Sequence, residues 1–134
     1  MTDVVELERR INAPRDTVFA YFTDPDRYTR WMGHEAELDA RPGGIYRVHV
    51  VEGSVARGEF VEVEPPERVV FTWGWEGNPM VPPGSSRVEV TFRSDGGDTV
   101  VTLTHSGLPD ADAMRLHEDG WTRYLDQLVA DATP

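Results

Sequence analysis

Met114, His117, Trp121, Tyr124, Leu125 and Leu128 recur every three or four residues, the spacing that lays side chains along one stripe of an α-helix. Leu108-Pro109-Asp110 opens this helix, and it runs toward the end of the chain. A stripe of this kind has to be covered, and the preceding sequence offers strand-like rows to cover it. One long C-terminal helix laid on a sheet is therefore the arrangement that most constrains the fold.

The rows have the period of two expected of half-buried strands. Val5, Leu7, Arg9 and Ile11 form the first, which stops at Asn12-Ala13-Pro14. Pro14 suits a helix start, and Val18, Phe19 and Phe22 supply its apolar face. Asp24 as N-cap and Pro25 in the first turn predict a second short helix reaching Trp31. From about Glu35 to His105 the rows are Tyr46/Val48/Val50, Val69/Phe71/Trp73/Trp75, Val88/Val90/Phe92 and Val101/Leu103/His105. Turns at Arg41–Gly44, Glu64–Glu67 and Ser94–Asp98 separate them, which favours an antiparallel meander. Val55 to Val63 reads as a strand with a conflict, since Phe60 and the Val61/Val63 pair fall on opposite faces. The Gly77–Ser86 segment is too long and too rich in proline and glycine for a tight hairpin. It reads as an ordered loop whose Met80 and Val81 either cover a pocket mouth or pack on the core.

At 134 residues the chain fits a single domain, 1–134. The start lacks the basic and apolar regions of a signal peptide, and no apolar run approaches the roughly 20 residues of a membrane span, so a cytoplasmic location without membrane insertion is expected. Cysteine is absent, which removes disulfides, thiolate metal sites and cysteine nucleophiles. Every basic residue is arginine, so Schiff-base lysine chemistry is excluded. A net charge of −11 disfavours nucleic acid as a partner.

Few residues carry a chemical signal. His105 and His117 fall on inward rows without a carboxylate at ligand spacing, which predicts no metal site and favours a structural or ligand-orienting role over catalysis. Ser85-Ser86 has no histidine or acid nearby in sequence, and neither a nucleophile elbow nor a phosphate loop occurs. Arg9, on an inward row, needs an acidic partner or an anionic ligand; pairing is the expected outcome, and Arg47 is treated alike. Gly120 lies mid-helix at a cost of about 1 kcal/mol relative to alanine. A closely approaching strand backbone is the expected compensation, with ligand space beside Trp121 as the alternative.

Arg9-x-Ile11-x-Ala13-Pro14, Thr23-Asp24-Pro25 leading to Trp31, Gly43-Gly44-x-Tyr46-Arg47, Gly58 through Trp73, Thr99 to His105 and His117-x-x-Gly120-Trp121 occur in this order over nearly the whole chain. In order and spacing they resemble the START and birch-pollen-allergen-like SRPBCC superfamily, in the branch named after the activator of heat-shock protein 90 ATPase. The resemblance implies an α+β helix-grip fold: a seven-stranded antiparallel sheet wrapped around a long C-terminal helix, with two short helices after the first strand. It also implies a cavity that in relatives takes apolar small molecules. On that basis Trp73, Trp75, Phe92, Leu103, Trp121, Tyr124 and Leu125 are expected to wall a cavity for a small hydrophobic molecule. His105, His117 and Tyr46 would orient its polar end. The leading expectation is a cofactor-free binder with no enzymatic role. A polyketide-cyclase-like enzyme using His105 or His117 as acid-base, and a stress-related chaperone partner, are the alternatives. Pairing of two copies through an exposed edge strand, giving a homodimer, is left open.

Overall fold

The computed structural model describes residues 4–134; Met1 to Asp3, part of the segment read for a signal peptide, lie outside the described residues. β1 (Val4–Ile11) is followed by α1 (Arg15–Thr23) and α2 (Pro25–Tyr28). Then come β2 (Glu35–Leu38), β3 (Ile45–Val51), β4 (Ser54–Glu64), β5 (Arg68–Trp73), β6 (Ser86–Asp95), β7 (Asp98–Ser106) and α3 (Ala111–Ala132). The seven strands form one antiparallel sheet in the order β1-β7-β6-β5-β4-β3-β2, a meander whose last strand takes β1 along its outer edge. The helix-grip arrangement read from the sequence is the one observed.

Local signals place most boundaries. Asp24 caps α2, its side chain accepting from Asp26 N–H at 3.0 Å with Pro25 in the first turn. α2 ends at Tyr28, short of Trp31, and the chain turns so that the Trp31 indole donates to the Tyr21 carbonyl at 2.9 Å. Asp110 caps α3 through Ala113 N–H at 2.8 Å.

The conflict in β4 is resolved by a β-bulge. Phe60 pairs with Phe71 and Val63 with Val69, so three residues of β4 advance against two of β5, with the register shift between Phe60 and Glu62. The extra residue turns Phe60 and Val63 to one face, where both pack on the core.

The core fills most of the space inside the grip. Phe92 lies edge-on to Phe19 and Phe22 of α1 at 5.1 and 5.3 Å, and Tyr46 stacks on Phe71 at 4.1 Å. α3 buries His117, Trp121, Leu125 and Leu128 of the stripe read from its sequence, together with Ala132, while Met114 and Tyr124 of that stripe are half-buried. Its second half is fastened from two sides. Arg9 of β1 binds Asp126 at 2.9 Å, while Tyr21 and Arg30 reach Asp131 at 2.8 and 3.0 Å. The inward Arg9 thus finds its acid on the helix.

Candidate functional site

The first half of α3 stands over the open end of the grip, and there the core gives way to a cavity of about 780 Å³. Its floor is made of the buried Met32, Val50, Trp73, His117 and Trp121. Trp75, Tyr124 and Gly120 form the walls, and the exposed Val51, Leu116, Asp119 and Arg123 form the rim. The β3–β4 turn and the Trp75–Pro79 segment close the remaining side.

Gly74 explains how the loop reaches this position. A Cβ at Gly74 would lie 1.8 Å from the Pro82 carbonyl oxygen, so only glycine lets the loop fold back on the strand. β5 consequently ends at Trp73, and Trp75 is held by an isolated bridge to Ala56 and by its N–H to the Val81 carbonyl at 2.8 Å. Val81 is buried while Met80, at 62% exposure, points to solvent. The loop is therefore anchored by packing and lends its Gly77–Pro79 stretch to the cavity wall.

Two tryptophan–histidine bonds organise the floor. Trp75 Nε1 donates to His117 Nε2 at 3.0 Å, and Trp121 Nε1 donates to His105 Nδ1 at 3.0 Å. An indole N–H can only donate, so each receiving nitrogen is unprotonated. The protons then sit on the other nitrogens. His117 Nδ1 donates to the Ala113 carbonyl at 2.7 Å, and His105 Nε2 donates to Ser86 Oγ at 2.8 Å. The Ser86 hydroxyl in turn donates to the Trp73 carbonyl at 2.8 Å. Both imidazoles are neutral with every nitrogen engaged.

Burial, then the nearby His117, lowers the His105 pKa from 6.5 to about 3. Burial also lowers that of His117, against an opposing pull from its bond to the Ala113 carbonyl. Ser86 and His105 make the serine–histidine contact that the sequence alone did not bring together. Its polarity is reversed from that of a nucleophile pair, since the imidazole N–H donates a hydrogen bond to the hydroxyl and the other ring nitrogen's lone pair is taken by Trp121.

Of the residues read as site candidates, Trp73, Trp75, His117, Trp121 and Tyr124 meet on the cavity surface. Phe92, Leu103, Leu125 and Tyr46 do not reach it. Phe92 pairs with Val101 and Leu103 with Val90, deeper along the strands, and Leu125 lies one turn beyond Trp121 on the fastened half of α3. Tyr46 is buried with its hydroxyl paired to Tyr28, and burial raises its pKa well above the usual tyrosine range. His105 lies behind Trp121 and supports the floor without lining it. The expected polar trio of His105, His117 and Tyr46 is thus not gathered around the cavity.

Gly120 also departs from expectation: a Cβ there would meet nothing within 4 Å, so the missing side chain leaves space beside Trp121 and no strand backbone presses on it. Met32, Val50, Val51 and Leu116 were not singled out in the sequence. Val50 ends an inward row, which was the available signal; Leu116 lies off the helical stripe and gave none. The rim is also charged. Glu76 is gripped by Arg47 at 2.8 Å with Arg57 at 3.6 Å, and the hydrogen bond from Arg47 lowers its pKa below the usual carboxylate value.

Solved structures share this architecture. An AHSA1-like protein of Rhizobium etli is 48% identical, aligned over 97% of this chain and 81% of its own, with a TM-score of 0.77. DynU16, a protein of the dynemicin biosynthetic locus, is 29% identical over 97% of this chain and 47% of its own, with a TM-score of 0.82. An uncharacterised protein of Schizosaccharomyces pombe is 32% identical over 92 residues, covering 69% of this chain and 25% of that protein, so the chain spans about a quarter of this curated relative's length. The model of the family described as activator of Hsp90 ATPase homolog 1-like protein matches residues 12–132, nearly the whole helix-grip unit, and the chain belongs to that family.

Proposed function

We propose that this protein binds a small hydrophobic or amphipathic molecule in the cleft beneath α3, without transforming it. The observation that carries the reading is the cavity of about 780 Å³ floored by Trp73, Trp121, Met32 and Val50. A space of this size and lining suits a small organic ligand. Gly120 supports the same reading, because a glycine with open space beside it weakens the helix and gains room for a guest. The similarity to DynU16, a protein of the dynemicin biosynthetic locus, is in keeping with this reading.

The engaged histidines favour binding over acid-base catalysis. For His105 or His117 to accept a proton, an indole N–H, buried at Trp121 and half-buried at Trp75, would first have to lose its acceptor. The family's name favours a second reading, action on a chaperone through the surface. An unchanged chaperone ATPase rate on adding this protein would remove it.

Gly120→Trp tests the binding reading, since the new ring enters the empty space and leaves the buried stripe untouched. Native mass spectrometry of protein isolated from its own host is expected to show a bound small molecule. The variant, folded by circular dichroism, is expected to have lost it. No adduct on the parent protein, or one retained by the variant, overturns the reading.

A further inference from the structure

Hydrogen-bonding capacity is unevenly distributed over the cleft. On the floor, both nitrogens of His117 are engaged, and the Trp75 and Trp121 indoles are spent on histidines. On the loop wall, Asn78 Oδ1 accepts from the backbone N–H groups of Met80 and Val81 at 2.8 and 3.1 Å. Trp73 Nε1 has no hydrogen-bond partner among the described residues, but it is buried from solvent, with the Trp75 and Trp121 rings 5.2 and 5.0 Å away. A polar group pushed to the floor would therefore lose its water and find no accessible partner.

The rim is different. Of the thirteen arginines, eleven stand in ion pairs among the described residues; Arg93 and Arg123 do not. In a chain with 24 carboxylates a cation without an acidic partner is unusual, and Arg123 stands at the cleft mouth. Its guanidinium leans over the Tyr124 ring at 5.5 Å, and no hydrogen bond or ion pair among the described residues engages its N–H groups. Glu76, also at the rim, is already held by Arg47 and Arg57. Asp119 lies one helical turn before Arg123 without pairing to it.

We propose that the ligand enters tail first: an apolar body lies against Trp73, Trp75 and Trp121 in the space left by Gly120, and a carboxylate head stays at the mouth on Arg123. The proposal rests on the cleft-binding reading and adds the ligand's class, a monoanionic amphiphile, and its orientation. A guanidinium offers a carboxylate two parallel N–H groups, a geometry that an alcohol or an amine does not match.

The probes are octanoate, 1-octanol and octylammonium, titrated into the full chain and followed by amide chemical shifts. Octanoate is expected to bind tightest. Arg123→Gln should weaken it about threefold and Arg123→Glu about tenfold, while octanol stays within about twofold. Nuclear Overhauser contacts should run from the terminal methyl to the Trp121 ring and from the carboxyl end to the Arg123 side chain. Arg123 is exposed, so both variants are expected to fold. If octanol binds as well as octanoate and neither responds to Arg123→Glu, the head-group assignment is overturned while the cleft reading stands. Octylammonium binding tightest, or methyl contacts at the rim, overturns it equally. If none of the three binds the parent protein, the cleft reading fails and takes the proposal with it.

Discussion

An indole N–H donates and never accepts, and at Trp75 and Trp121 that one-way chemistry settles the state of two histidines. Replacing Trp75 by Phe keeps an aromatic wall and removes the donor to His117 Nε2. The His117 pKa is then expected to rise toward 6.5, readable from its ring protons in an NMR titration, with a loss of about 1 kcal/mol in stability. An unchanged titration would mean that burial alone holds the imidazole neutral. The sequence showed that both histidines face inward, because strand alternation and helical spacing each select a face. It did not show which tryptophan meets which histidine. That depends on where β5, β7 and α3 stop along one another, and neither periodicity carries that information.

Gly120 shows at the scale of an element how a helix is adapted to what it covers. Because a Cβ there meets nothing, Gly120→Ala is expected to raise stability by about 0.5–1 kcal/mol, seen as a higher urea midpoint at unchanged slope. A fall in stability would mean that the site is tighter than the open space implies. The strands were legible wherever alternation ran unbroken, as in Val88/Val90/Phe92 and Val101/Leu103/His105. Where it broke, at Phe60 and Val63, the cause was a bulge, set by pairing with β5 and so outside what one strand's own sequence records. Phe92 faces inward but lies against Phe19 and Phe22 of α1, away from the cleft. β6 and β7 run antiparallel, so Phe92 sits beside Val101 near α1, while His105 lies opposite Val88 toward the cleft.

Across the molecule, the buried imidazoles couple stability to pH. Both are neutral when folded with pKa values lowered, His105 to about 3 from 6.5, whereas the unfolded chain takes up protons below 6.5. The unfolded state therefore binds more protons in that window, and stability falls as pH falls from 6.5 toward 3. Each unit costs up to about 1.4 kcal/mol for a fully neutral histidine, so urea unfolding at pH 5.0 should show a loss of about 2 kcal/mol or more relative to pH 7.5. Equal stability at the two values would contradict the neutral pairs. Fastening also differs in kind: Arg9, Tyr21 and Arg30 hold the second half of α3 through Asp126 and Asp131, while the first half crosses the cleft on the two tryptophan–histidine bonds. The floor beneath that first half has a spectroscopic consequence. Trp73 lies 5.2 Å from Trp75 and 5.0 Å from Trp121, with ring planes inclined by 84° and 49°. Transition dipoles so close and so skewed exchange excitation, giving the ultraviolet circular dichroism an exciton contribution tied to this one place. Under the proposed cleft binding, a guest that shifts any of the three rings would change that coupling, so the same signal would serve as an optical gauge of occupancy.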